Sequence, residues 1–171
     1  ACVAAFLGAL LDGGGLLLSS ADVMRAAGAV DAARVWQGEV WRLLSALFVH
    51  AGVWHLGLNL WVLWQVGRLL EPILGTARFV LVYLVSGIVG FAASLLWHPG
   101  LSAGASGAIF GAVGGLLALA AVTKDTPLGK HLARALAPFV VATLVIGFFL
   151  PFVDNTAHVG GLVSGFLLSY G

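Results

Sequence analysis

Five apolar runs of about 16–19 residues dominate this sequence: Val53–Leu70, Phe79–Trp97, Ala105–Val122, Leu132–Leu150 and Thr156–Gly171. A helix needs about 20 such residues to cross the hydrocarbon core of a bilayer. Only helices and closed barrels satisfy their backbone groups there, and unbroken runs of this length read as helices. Ala1–Leu11 is a shorter run, stopped by Asp12-Gly13-Gly14-Gly15. It is expected to be part of a first span, and the last run is expected to be cut short as well. Of the 171 residues, 61% are hydrophobic and 9% charged, against about 25% charged in an ordinary soluble domain. That balance excludes a disordered chain and a nucleic-acid binder, and argues against a soluble domain. The expected fold is all-α, one polytopic membrane bundle of six transmembrane helices over residues 1–171.

The single Cys2 excludes an internal disulfide framework and a cysteine zinc site. No signal peptide is evident at the start. Most of the 24 glycines lie inside the apolar runs, where they let helices approach closely. Gly107, Gly111 and Gly115 recur every four residues on the fourth span, and Ala157, Gly161 and Gly165 do so on the sixth.

The connection from Asp12 to Gly52 carries Asp12, Asp22, Arg25, Asp31, Arg34, Glu39 and Arg42. Ser20 is a candidate N-cap for a short helix over Asp22–Val30. The stretch Val35–Val49, with Trp36, Trp41, Leu43, Leu44, Leu47 and Phe48, has an interfacial composition. Arg68, Arg78, Lys124, Lys130 and Arg134 flank the 2–3 and 4–5 connections, whereas the 3–4 and 5–6 connections have no Lys or Arg. Positive charge concentrates on the cytoplasmic side, so spans two, four and six all start at the outer face.

Polar side chains within spans are costly and mark function. Here they are His55, Asn59, Gln65, Ser106 and His158. His55 and Asn59 are one turn apart on span two, Ser106 opens span four, and His158 opens span six. All four share a similar depth below the outer face and can converge. A hydroxyl needs an adjacent base to become a nucleophile, and imidazole titrates in the right range. Asn59, a His55 ring N–H and free backbone N–H groups at the start of span four are candidate donors to an oxyanion. Phe110, one turn after Ser106, is placed to stack on His158.

Each of these residues also has a plainer reading. Ser106 fits a small interface residue bonded to its own helix. His158 fits a hydrogen-bonded buried histidine, and His55 and Asn59 fit helix–helix glue. Asp154, four residues before His158, fits either an acid that orients the imidazole or a loop charge. Gln65 fits a helix contact, and Trp61 and Trp64 fit core or lipid-facing positions. His98 and His131 are expected in solvated loops. The histidines are scattered with no HExxH spacing, so no metal or other cofactor is expected. A transporter would carry its charges near mid-membrane, unlike this chain.

Gly104-Ala105-Ser106-Gly107 resembles the GxSG motif of the rhomboid family, and Ala157-His158-Val159-Gly160-Gly161 its AHxxG motif. His50 through Asn59 resembles its HxxxxHxxxN pattern, and Trp41-Arg42 its WR pair. Together the motifs cover nearly the whole chain in order. The resemblance implies a bacterial-type six-span intramembrane serine protease acting through a Ser–His dyad, without a cofactor, in the inner membrane with its site toward the outer face. It makes Ser106 the nucleophile and His158 the base, with His55, Asn59 and the Ser106 N–H as oxyanion hole. Gly104 then shapes the loop before the nucleophile, with Gly107 and Phe110 as neighbouring support. Trp41, Arg42 and His50 anchor the first loop, and Glu71 is structural. The partners implied are transmembrane helices of substrate proteins and the lipid bilayer. Phe148, Phe149, Pro151 and Phe152 are candidates for a gate and cap beside span five. A catalytically silent, client-binding relative is the competing reading, but such relatives usually lack Ser106 or His158.

Overall fold

The computed structural model describes residues 1–97, 100–150 and 152–170. Nine helices and one two-residue strand pair are present among them. The chain opens with α1 (Cys2–Leu11) and enters a long connection holding α2 (Ala21–Ala26), β1 (Val30–Asp31), α3 (Ala32–Trp36) and α4 (Arg42–Ser45). The long helices α5 (Val53–Leu74) and α6 (Thr76–Trp97) follow, then β2 (Leu101–Ser102), α7 (Ser106–Val122), α8 (Pro127–Phe149) and α9 (Asn155–Tyr170).

Each of the six apolar runs is helical over nearly all of its described residues. Among the described residues only α6 and α8 are both long and apolar enough, by length and composition alone, to cross a membrane. α5 has the length, but His55, Asn59, Gln65, Arg68 and Glu71 dilute its apolar character. α7 and α9 have 17 and 16 residues. At 1.5 Å per residue α7 is about 25 Å long, roughly 8 Å shorter than α6.

Several helix bounds differ from expectation. α5 continues past Glu71-Pro72 to Leu74 and stops at Gly75, whose φ is +78°. α8 begins five residues earlier than Leu132, because Thr126 caps it by accepting from the Gly129 N–H at 3.1 Å and Pro127 fills its first turn. His131 therefore lies on a helix, exposed, rather than in a loop. His98 and Pro151 fall outside the described residues.

Ser20 caps α2 by accepting from the Val23 N–H at 3.3 Å. The helix is shorter than expected, because Gly28 at φ +99° redirects the chain into β1. β1 pairs antiparallel with β2, Val30 opposite Ser102 and Asp31 opposite Leu101. This contact joins the long connection to the segment that leads into α7. Arg42 braces the connection from within. It is 3% exposed, donates to the Arg25 and Ala29 carbonyls at 2.7 and 3.0 Å, and pairs with Glu39 at 2.6 Å. Trp41 is exposed under the Arg42 guanidinium, 4.6 Å from ring centroid to Cζ. Trp41 thus faces outward, while Arg42 turns inward to satisfy backbone carbonyls.

α7 is the hub: Gly107 to Leu116 are buried without a break, and the helix touches α5, α6, α8 and α9. Between lipid-embedded helices there is little hydrophobic drive, so association depends on close contact. The α7–α9 seam meets that need backbone to backbone. A Cβ on Gly161 would fall onto the Gly107 carbonyl, and one on Gly165 onto the Gly111 carbonyl. α6 joins the seam where Gly90 meets the Ala157 carbonyl. α8 is held more loosely, with only Gly129, Leu132, Val140 and Gly147 buried.

Candidate active site

The α7–α9 seam places Ser106, the first residue of α7, against His158, in the first turn of α9. Ser106 Oγ lies 2.8 Å from His158 Nε2, and the imidazole is 5% exposed. Phe110 lies flat on the other side of the ring, with centroids 4.4 Å apart and planes 2° apart. Phe110 is in turn held by Phe139 of α8, at 6.1 Å. His158 Nδ1 has no hydrogen-bond partner among the described residues. Asp154 does not reach it. Its carboxylate accepts instead from Ser94, Ser102 and the Ala157 N–H. Neither plainer nor sharper expectation for Asp154 covers this arrangement.

Gly104 has φ +124°, a conformation open to glycine, and donates its N–H to the Ala46 carbonyl at 2.9 Å. A Cβ there would sit 2.7 Å from Cε1 and Nε2 of His55. The His55 ring therefore lies directly against the turn two residues before Ser106. Its Nδ1 accepts from the Ala51 N–H at 3.4 Å. That leaves the ring proton on Nε2, the nitrogen facing the turn. Asn59 is buried and donates one amide N–H to the His55 carbonyl at 2.8 Å. The backbone N–H groups of Ser106, Gly107 and Ala108 have no carbonyl partner among the described residues, as at any helix start. Gly107 lets α9 come close: a Cβ on it would stand 3.3 Å from the Ala157 carbonyl.

His50 is 2% exposed and donates from Nδ1 to the Phe48 carbonyl at 3.1 Å. Its ring meets His55 edge-on at 5.1 Å. Burial pushes its imidazole below the ordinary value. Glu71 accepts from the Thr76 hydroxyl at 2.8 Å, bridging α5 and α6 far along the chain from the Ser–His pair. Gln65 lines a cleft of about 210 Å³ between α5, α7 and α8 with Trp61, Val113 and Phe139. Trp61 and Trp64 are exposed on the outside of α5. Phe148, Phe149 and Phe152 are 74–80% exposed. Among the described residues no cluster of His, Cys, Asp and Glu could hold a metal.

Sequence reasoning missed Ser94, Ser102 and Asn155. Asn155 ties the start of α9 to α8 by donating to the Leu144 carbonyl at 2.8 Å. One signal was present: Ser102 precedes Ser106 by the same four residues that separate Asp154 from His158.

The helical bundle brings a serine hydroxyl against a buried imidazole, beside the free backbone N–H groups at the start of α7. The rhomboid domain family matches residues 37–171, and the chain belongs to that family of helical integral membrane proteins. It is 39% identical over 148 residues to rhomboid protease GluP of Bacillus subtilis (strain 168), covering 86% of this chain and 29% of that one. It is 38% identical to RHOMBOID-like protein 1 of Arabidopsis thaliana, covering 99% of this chain and 45% of the relative. It is 37% identical to rhomboid-like protease 3 of Toxoplasma gondii, covering 76% and 51%. The chain thus spans about half or less of the length of these relatives.

Proposed function

We propose that this chain is a single rhomboid domain of the bacterial six-helix type, acting as an intramembrane serine endopeptidase. The observation that carries the reading is the 2.8 Å contact of Ser106 Oγ with a buried His158 backed by Phe110. Relatives named as proteases in Bacillus and Toxoplasma support it.

Ser106 Oγ attacks the scissile carbonyl carbon as His158 Nε2 takes its proton. The carbonyl oxygen becomes an oxyanion and accepts from the Ser106 N–H, His55 Nε2–H and the second N–H of Asn59. The imidazolium then gives its proton to the leaving amine. Water, deprotonated by His158, hydrolyses the acyl-enzyme and frees Ser106. His158 works without an acid partner. The π face of Phe110 stabilises its transient positive charge, by about 0.5–2 kcal/mol for such contacts.

The substrate is a transmembrane helix of another protein, cut near the outer membrane face. Its carbonyls are tied up in helical hydrogen bonds, so it must unwind locally, which favours small or helix-breaking residues at the cut. The location proposed is a bacterial inner membrane, and the Lys and Arg distribution supports an orientation with the dyad toward the outer side. The loosely held α8 supports lateral access beside it. The test is cleavage of a model transmembrane substrate in proteoliposomes, with the cut mapped by mass spectrometry. Cleavage near the outer end, abolished in both Ser106→Ala and His158→Ala, is the expected result. Cleavage that survives either substitution would refute the dyad.

A further inference from the structure

Two hydrogen bonds join residues with the same separation along the chain, offset by four residues. Ser106 Oγ meets His158 Nε2 at 2.8 Å. Four residues earlier on both segments, Ser102 Oγ donates to Asp154 Oδ2 at 2.7 Å. Oδ2 also accepts from Ser94 Oγ, at the outer end of α6. Oδ1 accepts from the Ala157 N–H at 2.9 Å, and the Asp154 carbonyl accepts from the His158 N–H at 3.1 Å. A carboxylate only accepts, so both hydroxyls donate to it. Ser94 and Ser102 are 1% and 6% exposed. Asp154 is therefore at once the N-cap of α9 and the knot that joins α6, β2 and α9.

We propose that Asp154 is a positioning residue for the Ser106–His158 pair; this rests on the reading of that pair as catalytic. One carboxylate ties the segment that delivers Ser106 to the segment that delivers His158, and so sets the distance between them. Charge-assisted O–H···O⁻ bonds are about twice as strong as neutral ones, which suits a register device. Both carboxylate oxygens are engaged and His158 Nδ1 is left alone, so Asp154 acts through the backbone of α9 rather than on the ring. A displacement of about 1 Å between reacting groups costs about 100-fold in rate.

The experiment compares the parent, Asp154→Ala, Asp154→Asn, Asp154→Ala with Ser102→Ala, and Leu116→Ala as a control for lost stability. Readouts are the rate of fluorophosphonate labelling of Ser106, kcat and KM on a model transmembrane substrate, and amide hydrogen exchange at Ala157 and His158. In Asp154→Ala, labelling and kcat fall about 30–100-fold with KM within about twofold. Asp154→Asn recovers to within about fivefold, because asparagine is as good an N-cap through its Oδ1 and its NH2 donates to the serine hydroxyls, which turn to accept. The double variant is no slower than Asp154→Ala, since both act through one bond. Leu116→Ala unfolds more easily but labels at the parent rate. Exchange at Ala157 and His158 accelerates in Asp154→Ala and recovers in Asp154→Asn. Parent-rate labelling in Asp154→Ala, or equal slowing in Leu116→Ala, overturns the proposal. A parent that neither labels nor cleaves overturns the catalytic reading instead; exchange then decides alone, and unchanged exchange overturns the knot itself.

Discussion

Gly104 and His55 occupy space that only a hydrogen can share: a Cβ on Gly104 would stand 2.7 Å from two atoms of the His55 ring. The same residue has φ +124°, a region that costs other residues about 1–3 kcal/mol. Gly104→Ala therefore combines strain with displacement of His55. Its labelling and cleavage rates are expected to fall at least about 100-fold, as for loss of an oxyanion donor, while helical circular dichroism is retained. An alanine variant with parent activity would show that His55 is not held by this turn.

The α7–α9 seam predicts a sharp contrast between glycines. Gly161→Ala drives a methyl into the Gly107 carbonyl, and Gly165→Ala does the same at Gly111. Each is expected to cost about 1–3 kcal/mol, as overpacking does. Gly57→Ala on α5 meets nothing within 4 Å, so it is expected to be neutral or stabilising by up to about 1 kcal/mol. Thermal unfolding in detergent compares the three. Equal melting points would contradict backbone contact at the seam.

Phe110 is the only ring stacked on His158 among the described residues, with planes 2° apart. Phe110→Leu keeps bulk but loses the flat π face. It is expected to lower kcat about tenfold, consistent with loss of about 1 kcal/mol or more of cation–π stabilisation. KM should barely change, because the ring supports the base rather than the substrate. A higher KM at constant kcat would assign Phe110 to substrate binding.

His50 makes stability pH-dependent in a defined direction. Burial lowers its pKa in the folded chain. Below about pH 6.5 the unfolded chain takes up a proton that the folded chain resists. This contribution is present above the unfolded pKa and is lost as pH falls below it. The melting point is expected to drop between pH 7.5 and 5.5, and His50→Gln should drop less over that range. Identical slopes would remove His50 from the acid response.

The long helices were legible because each apolar run has recognisable ends, and the contact of Ser106 with His158 because both open helices of the same polarity. Thr126-Pro127 was a readable helix start that the preceding Lys124-Asp125 obscured. β1 and β2 left no periodic signal, since each is two residues long and its partner is about seventy residues away. The role of Asp154 was hidden for a different reason. Its cap on Ala157 is local and inferable, but its bond to Ser94 depends on how α6 leans on α9. Arg42 was expected at the interface, yet it serves carbonyls 13 and 17 residues away that only the folded connection brings together.

The most direct test is the site of covalent modification by a fluorophosphonate, mapped by peptide mass spectrometry in the parent and in His158→Ala. The adduct is predicted on Ser106 in the parent and absent in His158→Ala, because the hydroxyl depends on the imidazole 2.8 Å away for activation. Modification of a different residue, or equal modification of Ser106 without His158, would contradict the dyad.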